Sequence, residues 1–91
     1  MIRTWRHKGL KELFEIGASS KVRIDQHRRC LRLLDALNSA ERPEDMNVPG
    51  WKFHSLRGKP LRWAAAVNGP WRITFEFEAG DARNVDLEQY H

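Results

Sequence analysis

Asn68-Gly69-Pro70-Trp71-Arg72-Ile73-Thr74-Phe75-Glu76-Phe77-Glu78 is the stretch on which the reading of this fold turns. From Trp71 onward apolar and polar residues alternate, the period of a half-buried strand. Trp71, Ile73, Phe75 and Phe77 face one side, and Arg72, Thr74, Glu76 and Glu78 the other. Asn68-Gly69 precedes it as a hairpin signal, because both residues tolerate the positive φ of a type I′ turn. On the near side of that turn Trp63, Ala65 and Val67 alternate and read as the partner strand. On the far side Gly80-Asp81 turns the chain again, and Val85 and Leu87 complete a last strand before Glu88-Gln89-Tyr90-His91. Further upstream Trp51 and Phe53 alternate with Lys52 and His54, and Arg57-Gly58-Lys59-Pro60 closes that segment as a turn.

The first forty residues keep a different period. Over residues 8–16, Leu10, Leu13 and Phe14 stand at i, i+3 and i+4, and Gly17 fits the stop of a short helix. Ser19 or Ser20 can cap a second helix over residues 21–38. Its apolar stripe is Ile24, His27, Leu31 and Leu34, with Cys30, Leu33 and Leu37 beside it. The opposite face carries Arg23, Arg28, Arg29, Arg32 and Asp35 and reads as solvated. Residues 1–6 are a poorly alternating candidate for a first strand. Residues 39–50, with Pro43, Pro49 and Gly50, form a connecting loop. The expected class is α+β: two N-terminal helices packed on one face of a small, antiparallel-rich sheet.

A chain of 91 residues has room for one domain, residues 1–91. The longest apolar run, Trp63 to Val67, is far short of the roughly 20 residues a membrane span needs. No long apolar segment follows the early charges, so a secretory signal is not expected. The single cysteine, Cys30, excludes an intrachain disulfide and an all-cysteine zinc site. A cytoplasmic location is the simplest expectation. The net charge of +4 is uneven: nine Lys/Arg against four Asp/Glu over residues 1–40, six against three over 41–75, and one against five over 76–91. Such a surface draws polyanions. Eleven of the sixteen cations are arginine, the residue suited to bidentate phosphate contact.

Several chemistries are unsupported. His7, His27, His54 and His91 show no metal-ligand spacing, and no Gly-rich phosphate loop is present. Cys30 falls on a helix's apolar stripe, where it packs rather than reacts. No metal and no cofactor is expected. What remains is a metal-free arrangement, and RNA is a substrate that would suit one, because its own 2′-hydroxyl is the nucleophile. That reaction needs a base, an acid and a cation for the phosphate charge. Histidine serves the first two near neutrality and arginine the third. His54 and Arg72 lie opposite the core face, Tyr90 is the only tyrosine, and His91 ends the chain. Each also has an ordinary reading: surface histidine, exposed strand arginine, packed aromatic, frayed terminus.

Four segments tip that balance. They are Trp5-Arg6-His7-Lys8-Gly9-Leu10 with Leu13-Phe14-Glu15 and Gly17, Lys52-Phe53-His54-Ser55-Leu56-Arg57-Gly58, Asn68 through Phe77, and Gly80-Asp81-Ala82 through Asp86 to Tyr90-His91. In order and spacing the chain resembles, from end to end, the HigB toxins of the RelE/ParE superfamily. The resemblance implies a RelE-like fold akin to microbial ribonucleases. It implies an endoribonuclease that cuts mRNA in the ribosomal A site, a HigA-type antitoxin with a helix-turn-helix, and contact with operator DNA only through that antitoxin. It implies active-site roles for His54, His91, Arg72 and Tyr90, with acid and base unassigned between the histidines. Gln89 stands where the family often has aspartate. Lys52, Arg57 and Lys59 flank His54 and are candidate RNA-phosphate contacts. Two other readings stand beside the nuclease: a ParE-like gyrase inhibitor, and a non-catalytic ribosome- or RNA-binding module. An acid/base pair favours the nuclease, since a binding toxin needs none.

Overall fold

The computed structural model of the chain describes residues 1–90. Its helices are α1 (Lys8–Ile16) and α2 (His27–Ser39), with 3-10 turns at Ile24–Gln26 and Pro43–Met46. Its strands are β1 (His54–Leu56), β2 (Arg62–Ala66), β3 (Trp71–Glu78) and β4 (Asp81–Gln89). They form one antiparallel sheet in the order β1-β2-β3-β4, each paired to the next. Leu10 and Leu13 of α1 and Cys30, Leu33, Leu34 and Leu37 of α2 share one buried cluster with Ala65, Ile73, Phe75, Val85 and Leu87 of the sheet. The class is α+β, as the switch from a 3.6 to a 2.0 period requires. No helix among the described residues is long and apolar enough to cross a membrane.

Helix α1 begins where His7 caps it, its Nδ1 accepting from Leu10 N at 3.1 Å. The ring folds so closely over Gly9 that a Cβ there would stand 2.8 Å from His7 Cε1, so only glycine fits. At the other end Gly17, φ 95°, closes α1 by donating to Leu13 O at 2.8 Å.

The second helix starts later than its serine caps predict. Ser19 Oγ accepts from Lys21 N, which makes a local turn instead of a helix start. The chain then passes through the 3-10 turn, and α2 begins at His27. Ile24 consequently leaves the expected stripe and is 83% exposed, while Cys30, Leu33, Leu34 and Leu37 stay buried. Burial pushes the Cys30 thiol up to about 12 against the opposing charge of Arg29, so it remains a packed thiol. Arg29 is not solvated as its face predicts. It donates to Gly50 O and Ala66 O and lies over the Trp51 ring, tying the loop to the sheet.

The segment before β1 is not the alternating strand expected over Trp51 to His54. Lys52 takes φ 50°, which turns the chain between buried Trp51 and the strand at His54–Leu56. The β2–β3 turn also differs. A two-residue Asn68-Gly69 hairpin would need residue 70 to donate to Val67, and Pro70 has no N–H. The loop therefore takes three residues, closed by Val67 N donating to Trp71 O at 2.9 Å. Gly69 alone carries positive φ there, while the Asn68 side chain accepts from Gln26 Nε2.

The type I′ geometry appears instead at Ala79-Gly80, with φ 52° and 81°, between the paired Glu78 and Asp81. Ala79 holds the left-handed region that costs an L-residue about 1–2 kcal/mol. Glycine there would be free of that strain and would lose about 0.5–1 kcal/mol of it to unfolded-state entropy. Ala79→Gly is thus expected to raise stability by about 0.5–1 kcal/mol, read from urea midpoints at constant slope. Residues 1–6 form no strand of their own. Ile2 and Trp5 make isolated parallel bridges to Ala82 and Val85, and Arg3 hydrogen-bonds Asp81, holding that carboxyl below the usual range.

Candidate active site

Cross-strand partners share a sheet face, so the register sorts the candidates. His54 pairs with Ala64, Ala64 with Thr74, and Thr74 with Asp86, one transverse row. Ala66, Arg72 and Glu88 form the next row on the same face. Tyr90 follows Glu88 by two residues, its N–H donating to Pro70 O at 2.7 Å. His54, Arg72 and Tyr90 therefore share the face opposite the helices, which we call the open face. His91 lies outside the described residues.

His54 is the exposed first residue of β1. Its Nδ1 stands 2.8 Å from Lys52 O. A carbonyl oxygen only accepts, so Nδ1 carries a hydrogen and the neutral ring presents Nε2 as an acceptor. The left-handed Lys52 that broke the expected strand is thus what brings this carbonyl under the ring. The other two described histidines are engaged in holding the backbone. His7 caps α1, and His27 Nε2 lies within 3.0 Å of Ser19 O and 2.9 Å of Val22 O.

Arg72 is half-buried, and its Nη1 donates to Gly69 O at 2.7 Å and to Trp71 O at 2.9 Å. Two carbonyls of the β2–β3 turn thus hold the guanidinium at the edge of the open face. Lys52, Arg57 and Lys59 are exposed around the end of β1 that carries His54 and the loop after it. Gln89 pairs with Trp71 and so lies on the face away from His54, Arg72 and Tyr90.

The pattern reading passed over the best-ordered group on this face. Arg62, the first residue of β2, donates from Nη1 to Glu88 Oε2 at 2.8 Å and from Nη2 to the Tyr90 phenol at 2.8 Å. Thr74, on the side of β3 opposite the apolar residues as its position in the alternation predicts, is wholly buried and donates from Oγ1 to the same Glu88 oxygen. Partial burial works against the Arg62 charge, but the bond and charge of Glu88, and then Tyr90, outweigh it and raise its proton affinity. Parity was the available signal: Arg62 shares its face with Ala64 and Ala66, and hence with Thr74 and Glu88.

A concave feature lies apart from these residues, on the helix side. It is an open groove of about 400 Å³ lined by Glu12, Ile16, Ala18, Ser19, Ser20, Ile24 and His27. His27 Nε2 is bound to backbone there, and no lysine or arginine lines the groove to hold a phosphate charge. Among the described residues no three His, Cys, Asp or Glu side chains gather as a metal site.

Two comparisons bear on this arrangement. Residues 3–91 match the family model described as the RelE-like toxin of type II toxin–antitoxin system HigB. Over 92 aligned residues, covering 100% of both chains, the sequence is 39% identical to a Proteus vulgaris protein named Endoribonuclease HigB.

Proposed function

The chain belongs to the HigB-like toxins of type II toxin–antitoxin systems, and from that membership we propose that it is an endoribonuclease that cleaves mRNA in the ribosomal A site and so arrests translation and growth. One domain, residues 1–91, would carry the activity in the cytoplasm. The observation that carries the reading is the register that gathers His54, Arg72 and Tyr90 on one open face. His54 takes the 2′-hydroxyl proton at Nε2, the nitrogen left as acceptor by the Lys52 carbonyl. His91 returns a proton to the leaving 5′-oxygen. Arg72 leaves its two turn carbonyls for the phosphate, whose charge grows in the transition state. Tyr90 positions the nucleotide, while Lys52, Arg57 and Lys59 hold backbone phosphates or ribosomal RNA. Every group in this scheme belongs to the protein or the RNA, so it calls for no metal or cofactor.

The antitoxin that the family implies is, on this proposal, of the HigA helix-turn-helix kind, through which the pair reaches its operator DNA. Mapping mRNA 5′ ends after induced expression tests the activity. New ends should appear at codon-related positions with the parent protein and vanish with His91→Ala. Unchanged ends with a folded His91→Ala protein would remove that histidine from the chemistry. Inhibition of gyrase supercoiling with no new ends would overturn the RNA assignment.

A further inference from the structure

We propose that Arg62 is a positioning residue for the cleavage site, acting on RNA only through Tyr90; this rests on the role given to Tyr90 above. Arg62 reaches from β2 across β3 to β4. One nitrogen of its fork holds Glu88 and the other the Tyr90 phenol, each at 2.8 Å. Glu88 is held in turn by the buried Thr74 hydroxyl. Groups on β2, β3 and β4 thus converge on the last described residue of the chain. Tyr90 is fixed at both ends, by the Arg62 fork at its ring oxygen and by Pro70 O at its N–H.

The hydrogen-bond inventory gives this clasp a chemical sense. A phenol has one proton to give and two lone pairs to offer. A guanidinium can only donate, so Arg62 occupies a lone pair and leaves the Tyr90 proton directed elsewhere. Tyr90 is thereby set as a donor, toward a phosphate or ribose oxygen of a strand lying on the open face. Glu88 neutralises Arg62 at the same time. The guanidinium is then committed to holding the phenol, and the phosphate is left to Arg72, whose hydrogen bonds among the described residues go to backbone carbonyls.

The test is steady-state cleavage of mRNA on programmed ribosomes by the parent, Tyr90→Phe, Arg62→Ala and the double variant, each verified as folded by circular dichroism. Arg62→Met keeps the side-chain stem and replaces the alanine variant where that one fails to fold. Positioning predicts that Arg62→Ala lowers kcat by about 10–100-fold with KM little changed. It predicts also that the double variant is no slower than Tyr90→Phe, because both changes remove one interaction. Arg62→Lys should resemble alanine, since an ammonium cannot hold Glu88 and the phenol in one fork. Additive losses, an effect confined to KM, or full rescue by lysine would overturn the proposal. A slow Tyr90→Phe beside a fully active Arg62→Ala would overturn it alone, leaving the role of Tyr90 intact. A fully active Tyr90→Phe would overturn both.

Discussion

Arg72→Ala protein is expected to melt like its parent and to cleave mRNA about 10²–10³-fold more slowly, the usual loss when one transition-state charge donor is removed. Stability is spared because the turn does not depend on the guanidinium. Val67 N donates to Trp71 O, and Trp71 N to Asn68 O, both at 2.9 Å, and these bonds close the loop without it. The Arg72 side chain adds two bonds to carbonyls of that same turn. A group that caps exposed carbonyls in the free protein can trade them for phosphate oxygens at little cost, since either partner is an acceptor. The loss should fall on kcat more than on KM, as the phosphate gains charge only on the way to the transition state. Arg72→Lys should recover part of the rate, because it restores a point charge without the planar fork. Cleavage by Arg72→Ala within threefold of the parent would show that the phosphate charge is held elsewhere on the face.

The second large effect is structural. Phe75 is wholly buried at the centre of β3, and its ring stacks on Trp63 at 6.1 Å between centroids. It joins the sheet to Leu10, Leu13, Leu33 and Leu34 in one cluster. Truncation of such a ring costs about 3–5 kcal/mol, from lost transfer energy and the cavity left behind. Domains of this size hold only about 5–15 kcal/mol in total. Phe75→Ala is therefore expected to lower the melting temperature by about 12–40 °C, at about 4–8 °C per kcal/mol. Thermal and urea unfolding followed by near-ultraviolet circular dichroism measures this. Phe77→Ala, at a half-buried position farther along β3, should cost clearly less. Equal losses at Phe75 and Phe77 would mean that the core is not centred where the packing puts it.

Legibility varied with how local the deciding physics was. Strand β3 was clear because one face of apolar side chains at period 2 has few other uses. Helix α1 was clear for the same reason at period 3.6, with Gly17 at its end. The start of α2 was missed because Ser19 spends its hydroxyl on Lys21 N, a bond between near neighbours that competes with capping. The Asn68-Gly69 signal was overruled by Pro70, whose missing N–H was visible in the sequence but not weighed. Nothing in the sequence marked Ala79 for φ 52° or Lys52 for φ 50°, because long-range pairing sets both. Arg29 read as part of a solvated helix face, and Arg62 drew no reading at all. Each is instead held by partners remote in sequence: Gly50 and Ala66 for the first, Glu88 and Tyr90 for the second.

The sequence by itself determined the α+β class, the side of β3 that is buried, and the four candidates His54, Arg72, Tyr90 and His91. The class and the buried side follow from periodicity, which acts over one or two turns of chain; the four candidates follow from the resemblance to the HigB toxins. Only the tertiary structure decided that His54, Arg72 and Tyr90 share a face, that Nδ1 is the His54 nitrogen engaged by a carbonyl, and that Arg62 holds the phenol. Strand register and side-chain reach set these, and both join residues separated by tens of positions along the chain. The stretch from Asn68 to Glu78 is the clearest case. Its alternation announced a strand, but only pairing with β2 and β4 shows that Arg72 stands level with Glu88 and one row from His54.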